Sequence, residues 1–206
     1  MSMFRRKTHW LLPLTMGALG AALATYAALC PTRPGEPIVL PVEPGVLYRS
    51  PQLSAEQLAE EIRRRGIKTV VNLGSDADTD EAVCRQLGVS YVECRVGDVW
   101  CLCGQKAPGQ EHEPVGPYDL SPLWTLIDDP AARPILIHCQ GGVHRTGVVT
   151  ALYRIRYQGW RPDDAIAEMD LFGFESHKAK FASVLAYLRS LDEKPRQATV
   201  PGISRR

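Results

Sequence analysis

Cys139 and Arg145 stand on either side of five residues that include two adjacent glycines. A thiol becomes a nucleophile once it loses its proton, and a planar guanidinium can bind two oxygens of a phosphoryl group at once. Thr146 follows directly, with a hydroxyl that can donate a hydrogen bond to a sulfur and stabilise it as nucleophile and leaving group. These side chains at this spacing predict covalent chemistry on a phosphoryl group.

The residues around this segment predict a strand, a tight loop and a helix. Residues 135–137 are a short, mostly β-branched apolar run, typical of a strand buried on both faces, and a helix is predicted from Thr146. The two glycines allow backbone conformations that a Cβ would obstruct. In such a loop successive backbone N–H groups converge on one point, and the helix N-terminus adds partial positive charge there. The same arrangement stabilises the thiolate of Cys139.

The run HCQGGVHRT, residues 138–146, resembles the signature of the cysteine-dependent protein phosphatases: His-Cys, five residues, Arg, then Ser or Thr. It is most similar to the dual-specificity branch. The resemblance implies a metal-independent phosphatase without a cofactor that hydrolyses phosphotyrosine and phosphoserine or phosphothreonine through a phosphocysteine on Cys139. It also implies that seven consecutive residues bind the phosphate: Gln140, Gly141, Gly142, Val143, His144, Arg145 and Thr146.

Other interpretations stay open. Inositol phosphates and lipid phosphates also fit such a cradle, although Val143 stands where cradles for highly charged inositol phosphates often carry lysine. A non-catalytic phosphate-binding module is a second alternative, but it would not need the Cys139 nucleophile. Sulfur transfer through a persulfide is a third, and the length of the loop disfavours it. A buried structural cysteine beside a surface arginine is the simplest alternative of all.

The resemblance further implies a carboxylic acid near the pocket, because an alkoxide leaving group is costly at neutral pH. Asp98 comes directly after a predicted strand, at the start of the irregular stretch 97–118, where phosphatases of this type carry the acid on a mobile loop. Asp98 is therefore the first candidate. Glu113 and Asp119 compete for the role, and Asp119 is equally well explained as the N-cap of the next helix.

Composition narrows the class of protein. The chain has 206 residues, 45% of them hydrophobic, and a formal net charge of +1. This is the size of one ordinary domain, and the near-neutral balance argues against nucleic acid as a partner. The six cysteines do not show the paired spacing of a secreted disulfide scaffold. Cys94, Cys101, Cys103 and His112 are the only metal-site alternative, and their irregular spacing disfavours it.

The first 44 residues differ in character from the rest. Residues 1–9 carry three basic and no acidic side chains, and residues 10–30 carry no charge. About 20 apolar residues cross a bilayer as a helix, so a single-pass anchor is predicted, with a cleaved signal sequence as the alternative. The positive-inside rule then places the catalytic domain on the exocytoplasmic side, and cleavage would make the protein secreted or periplasmic. The proline-rich residues 31–44 predict an extended linker.

Residues 45–192 predict one α/β catalytic domain, followed by a flexible tail at 193–206. Alternating elements with short connections indicate a mainly parallel central sheet flanked by helices. The segments YRSPQLS, GIKTVVNL and LGVSYVE also resemble the N-terminal half of atypical dual-specificity phosphatases. Strands are predicted at 46–49, 67–73, 89–96 and 135–137, and helices at 55–65, 81–87, 119–128, 146–157, 163–170 and 176–191.

Overall fold

A computed structural model describes residues 39–74, 78–94 and 120–191. Strands and helices alternate along these segments. The strands are β1 (Leu40–Glu43), β2 (Leu47–Ser50), β3 (Thr69–Asn72), β4 (Ser90–Glu93) and β5 (Ile135–His138). The α-helices are α1 (Ala55–Arg65), α2 (Asp78–Leu87), α3 (Ser121–Asp128), α4 (His144–Gln158), α5 (Pro162–Leu171) and α6 (Ala182–Ser190), with short 3₁₀ turns at Pro130–Ala132 and Ala179–Phe181.

The strands form one mixed sheet in the order β1-β2-β5-β3-β4. β5 lies in the middle, parallel to β2 and β3, and β4 runs parallel to β3. β1 is antiparallel to β2. The carboxyl ends of β2, β5 and β3 therefore lie side by side, and the three segments that follow them meet at one edge of the sheet. Ligands bind at this edge in open α/β sheets.

Helices cover both faces of the sheet, which confirms the predicted α/β architecture. β3 and β5 are buried along their whole length, and alternate residues point to opposite faces. Val70 and Leu136 pack into one core with residues of α1 and α2. Val71, Ile135 and Ile137 pack into a second core with residues of α3 to α6. The central strand that leads to the signature is thus held rigidly from both sides.

Helix α1 follows its prediction from end to end. Ser54 and Gln57 form the expected capping box: the backbone N–H of each residue donates to the side chain of the other, at 2.9 and 3.3 Å. Gly66 ends the helix in a left-handed conformation with φ of 63°. Helix α4 begins at His144, two residues earlier than predicted, so Arg145 lies within its first turn.

Residues 40–43 were expected in the extended linker, and they form strand β1 instead. Pro41 is tolerated there because β1 is an edge strand, where a missing backbone donor faces away from the ladder. Val42 is buried in the core, and the carboxylate of Glu43 accepts hydrogen bonds from Tyr153 Oη at 2.7 Å and Gln158 Nε2 at 3.0 Å. These contacts with α4 hold β1 against the open edge of β2.

The predicted membrane topology needs correction. Within the described segments no helix is long and apolar enough to cross a bilayer. The longest helix of these segments, α4, has 15 residues and carries three arginines. A single-pass protein with an exocytoplasmic domain is therefore not supported. The predicted span itself, residues 10–30, lies outside the described residues, as does the tail at 193–206.

Candidate active site

The signature loop joins the carboxyl end of β5 to the N-terminus of α4. β5 ends at His138, and Cys139 follows with only 5% of its surface exposed. Val143 is the N-cap of α4 and makes no side-chain capping hydrogen bond. The N-terminus of α4 therefore has no cap from the Val143 side chain, and its partial positive charge favours an anion.

Thr146 and Cys139 contact each other directly. Oγ1 of Thr146 lies 3.1 Å from Sγ of Cys139, and the hydroxyl group is fully buried. In this geometry the hydroxyl donates to a thiolate, which is a pure acceptor. The loop therefore folds back so that the first turn of α4 supports the sulfur that opens the loop.

The carbonyl groups of the loop are held from outside the loop. The backbone N–H of Gln52 donates to the carbonyl of Gln140 at 3.1 Å, and Nη2 of Arg49 donates to the carbonyl of Gly142 at 2.7 Å. Among the described residues, no backbone carbonyl accepts from the N–H groups of residues 140–143. Carbonyls turned outward and N–H groups left free are what a phosphate cradle requires.

The two glycines have different roles. Gly142 has φ of +66°, and a Cβ there would lie 2.6 Å from the backbone nitrogen of Pro51. Only glycine fits between the loop and the segment after β2. A Cβ on Gly141 would meet no atom within 4 Å. Of the two glycines, Gly142 is therefore the one that the close approach of the loop to Pro51 requires.

Arg145 is held by the segment that follows β3. Its Nη1 donates to the backbone carbonyl of Gly74. Gly74 has φ of +100°, and a Cβ on it would approach Nη1 of Arg145 to 3.4 Å. A backbone carbonyl more than 70 residues earlier in the chain therefore helps to orient the guanidinium.

Behind the loop lies a polar cluster of Asp80, His138 and Gln52, in which Asp80 and His138 are buried. The carboxylate of Asp80 is 1% exposed and accepts from Nε2 of Gln52, which lies 2.9 Å from each oxygen. Nε2 of His138 is 3.2 Å from Oδ2 of Asp80, in close polar contact but not aligned for a hydrogen bond. No sequence pattern marks Asp80 as part of the site, because only the tertiary structure places α2 against β5.

His144 lies against aromatic rings beside the loop. Its imidazole stacks on Phe181, with centroids 5.3 Å apart, and lies 5.6 Å from the ring of Phe174. Burial, followed by the charge of Lys180, lowers the pKa of His144, and Glu175 acts in the opposite sense. His144 is therefore mainly neutral at pH 7.

The candidates for the acid, Asp98, Glu113 and Asp119, lie outside the described residues. So do Cys101, Cys103 and His112 of the alternative metal site. In the described part of the chain no group of three or more His, Cys, Asp or Glu residues could hold a metal ion.

A helix-flanked mixed sheet whose central strand ends in this Cys–Arg–Thr loop defines a cysteine-dependent phosphatase. A family model described as "DSP-PTPase phosphatase fused to NAD+ Kinase" matches residues 42–184, and the chain belongs to this family. The resemblance stated from the signature is confirmed.

Individual relatives agree with this assignment. The chain is 29% identical over 204 residues to the dual specificity protein phosphatase TpbA of Pseudomonas aeruginosa PAO1, covering 92% of this chain and 84% of the relative. The catalytic core of the PP-IP phosphatase SIW14 from S. cerevisiae superposes with a TM-score of 0.55 at 21% identity, covering 75% of this chain and 85% of that one. A putative phosphatase from Shewanella putrefaciens superposes with a TM-score of 0.53 at 20% identity, covering 76% and 93%. The two structural matches show a shared fold.

Proposed function

We propose that this phosphatase removes phosphate from phosphotyrosine and phosphoserine or phosphothreonine in proteins through a phosphocysteine on Cys139. The observation that carries the proposal is the contact between Thr146 Oγ1 and Cys139 Sγ, at 3.1 Å, in a loop where no backbone carbonyl of the described residues accepts from the N–H groups of residues 140–143. A hydroxyl aimed at a buried sulfur stabilises that sulfur both as a nucleophile and as a leaving group.

In the first step, an electron pair on Sγ of Cys139 forms a bond to phosphorus, opposite the leaving oxygen, and the P–O bond to that oxygen breaks. Asp98 gives its proton to the leaving oxygen. Arg145 and the loop N–H groups bind the non-bridging oxygens, on which the negative charge is spread. The products are the phosphocysteine, the dephosphorylated alcohol or phenol and the carboxylate of Asp98.

In the second step, water bonds to phosphorus and gives a proton to the Asp98 carboxylate, while the S–P bond breaks. The electron pair returns to sulfur, where the hydroxyl of Thr146 stabilises the thiolate. Inorganic phosphate leaves, and the starting protonation states are restored. Neither step uses a metal ion or a cofactor, since Arg145 and the backbone donors balance the charge of the phosphoryl group.

The catalytic domain is proposed to extend over residues 45–192 together with strand β1. A protein substrate is supported by the name of the Pseudomonas aeruginosa relative, a dual specificity protein phosphatase. An inositol phosphate is the second candidate, and one observation favours it. The charge of Lys180 acts on His144, the neighbour of Arg145, whereas Lys178 is paired with Glu175, so Lys180 places positive charge beside the loop.

The chemical test is Cys139→Ser. This variant should lose all turnover in the presence of a chelator but still bind vanadate, because the loop donors and Arg145 remain. Acid quenching of the wild type with labelled substrate should trap a phosphoenzyme that Cys139→Ser does not form. Substantial turnover by Cys139→Ser would contradict the covalent step. Comparing kcat/KM on phosphotyrosine peptides, phosphoserine peptides and an inositol polyphosphate then decides the substrate class.

A further inference from the structure

Arg49 is a charged residue inside a core strand, and nothing in the proposed mechanism uses it. It lies on β2 and is 5% exposed. Burial, more than the nearby charge of Arg154, lowers its pKa to about 10, while Glu168 and Cys139 act in the opposite sense. The guanidinium therefore stays protonated at neutral pH. A buried cation normally pairs with a carboxylate.

Arg49 makes no such pair in the described part of the chain. Glu168, the acidic group that acts on it, is bound by Arg154 instead, at 2.7 and 3.0 Å. The guanidinium of Arg49 lies over the ring of Phe172, 4.3 Å from its centroid. Its Nη2 donates to the carbonyl of Gly142, and its Nη1 has no hydrogen-bond partner among the described residues. Among the described residues, the loop carbonyl is thus the main polar contact of a buried charge.

This contact fixes the direction of one peptide group in the cradle. In a trans peptide the C=O and the N–H point in opposite directions. Because Arg49 holds the Gly142 carbonyl outward, the N–H of Val143 points the other way, into the loop. The left-handed conformation of Gly142 and its close approach to Pro51 keep the peptide in this orientation.

We propose that Arg49 is a positioning residue of the phosphatase reaction: from behind the loop it turns the Gly142–Val143 peptide so that its N–H faces the phosphate, and its charge stabilises the Cys139 thiolate. This inference rests on the proposed function. The other ionisable groups around the loop are His138 on β5, Asp80 on α2, His144, Arg145 and Arg154 on α4, and Glu168 on α5.

The test compares Arg49→Met and Arg49→Lys with the control Arg65→Met in the full chain. Arg65 on α1 is a similar arginine: it donates to the carbonyl of Val39 at 2.9 Å and lies over the ring of Tyr48, but it pairs with Glu61 and has no hydrogen bond to the loop among the described residues. Three quantities are measured: kcat/KM, the affinity for inorganic phosphate, and the pH profile of iodoacetamide reaction at Cys139, followed by mass spectrometry of its peptide.

Arg49→Met should lower kcat/KM by about 10²-fold, because one preoriented donor is lost. It should also weaken phosphate binding and move the midpoint of Cys139 alkylation up by about one pH unit. Arg49→Lys keeps the charge, so its pH midpoint of Cys139 alkylation should lie close to the wild-type value. Its phosphate affinity should stay nearly as low as that of Arg49→Met. Arg65→Met should leave all three quantities close to wild type.

An Arg49→Met or Arg49→Lys protein with wild-type phosphate affinity and kcat/KM would overturn the proposal. So would equal losses in Arg65→Met, since packing alone would then explain them. If Arg49→Met does not fold, Arg49→Lys decides. Phosphate binding and alkylation need no turnover, so they test Arg49 even if the covalent mechanism itself proves wrong.

Discussion

Oδ2 of Asp80 lies 3.2 Å from Nε2 of His138, and both side chains are almost fully buried behind the loop. The same carboxylate binds the side chain of Gln52, whose backbone N–H holds the carbonyl of Gln140. One carboxylate on α2 therefore supports the loop at two points: at the residue before Cys139 and at the residue after it.

Asp80→Asn keeps the size of this side chain and removes its charge. We expect the free energy of unfolding to fall by about 1–3 kcal/mol, because buried polar partners are left poorly satisfied. We also expect a loss of roughly tenfold in kcat/KM, since a hydrogen bond to a charged group is worth about 1.5–3 kcal/mol. Urea denaturation and steady-state kinetics measure the two effects.

Glu81→Gln is the control: Glu81 is exposed and pairs with Arg85 on the surface, so the loss of this ion pair should cost under about 0.5 kcal/mol. Equal effects in both variants would exclude a special role for Asp80.

Thr146→Val removes the hydroxyl that contacts Cys139 and keeps the shape of the side chain. A hydrogen bond to a charged group is worth about 1.5–3 kcal/mol, so kcat should fall roughly 10- to 100-fold. The second step should slow most, because the thiolate is its leaving group, and a burst of released alcohol should become visible in stopped-flow traces.

Thr150→Val is the matched control for this prediction. Thr150 is buried one turn further along α4, and its hydroxyl donates to the Thr146 carbonyl at 2.7 Å. The Thr150 hydroxyl bonds this carbonyl and not the Cys139 sulfur, so the kinetics of Thr150→Val should stay near wild type. If both valine variants lose the same activity, the hydroxyl of Thr146 has no special role towards the sulfur.

Gly142→Ala should disable the loop, whereas Gly141→Ala should be tolerated. The added Cβ at position 142 would lie 2.6 Å from the backbone nitrogen of Pro51, and the alanine would have to adopt a left-handed backbone conformation. The loop must therefore shift. A displacement of about 1 Å at a catalytic group costs on the order of 10²-fold in rate. Vanadate binding and kcat/KM measure the effect in both variants. Comparable activity in the two would show that the close approach to Pro51 does not constrain the cradle.

The local parts of this site could be predicted from the sequence, and the long-range parts could not. The strand 135–138, the glycine turn, the Ser54–Gln57 box and the helix after the loop depend on neighbours a few residues away. No local pattern shows that Arg49 and Asp80 support the loop. Their burial depends on β2 pairing with β5 and on α2 packing behind it.

Strand β1 also depends on long-range contacts that its own residues do not reveal. Proline favours extended backbone, which predicts a linker and an edge strand equally well. The difference comes from the open edge of β2 and from the partners that α4 offers to Glu43, neither of which is visible in residues 31–44. A charged residue in an apolar strand, as at Arg49, is the one sequence signal that could have been followed further.

His144 should make the stability of the fold depend on pH. Burial lowers its pKa below the value in the unfolded chain, so the unfolded state binds the proton more tightly. Stability is therefore full above about pH 6.5, the unfolded value, and falls as the pH drops below it towards the lowered folded value. Between pH 7.5 and 5, the Tm of His144→Phe should fall less steeply than the Tm of the wild type. His177→Gln, a change at an exposed position, should follow the wild type, and an unchanged slope in His144→Phe would contradict the prediction.

Asp98 is the candidate for the acid, and its role depends on the leaving group. If Asp98 protonates the leaving oxygen, Asp98→Asn should lose about 10²–10⁴-fold in kcat on an alkyl phosphate, because general acid catalysis contributes that much. On an activated aryl phosphate, whose phenolate leaves without a proton, the loss should be far smaller. The alkaline limb of the pH–rate profile should also flatten, since the acid no longer titrates there. Glu113→Gln and Asp119→Asn are measured on the same two substrates as competitors. If Asp98→Asn loses the same factor on both substrates, or none on either, Asp98 is not the acid, and the competitor that separates the two substrates takes its place.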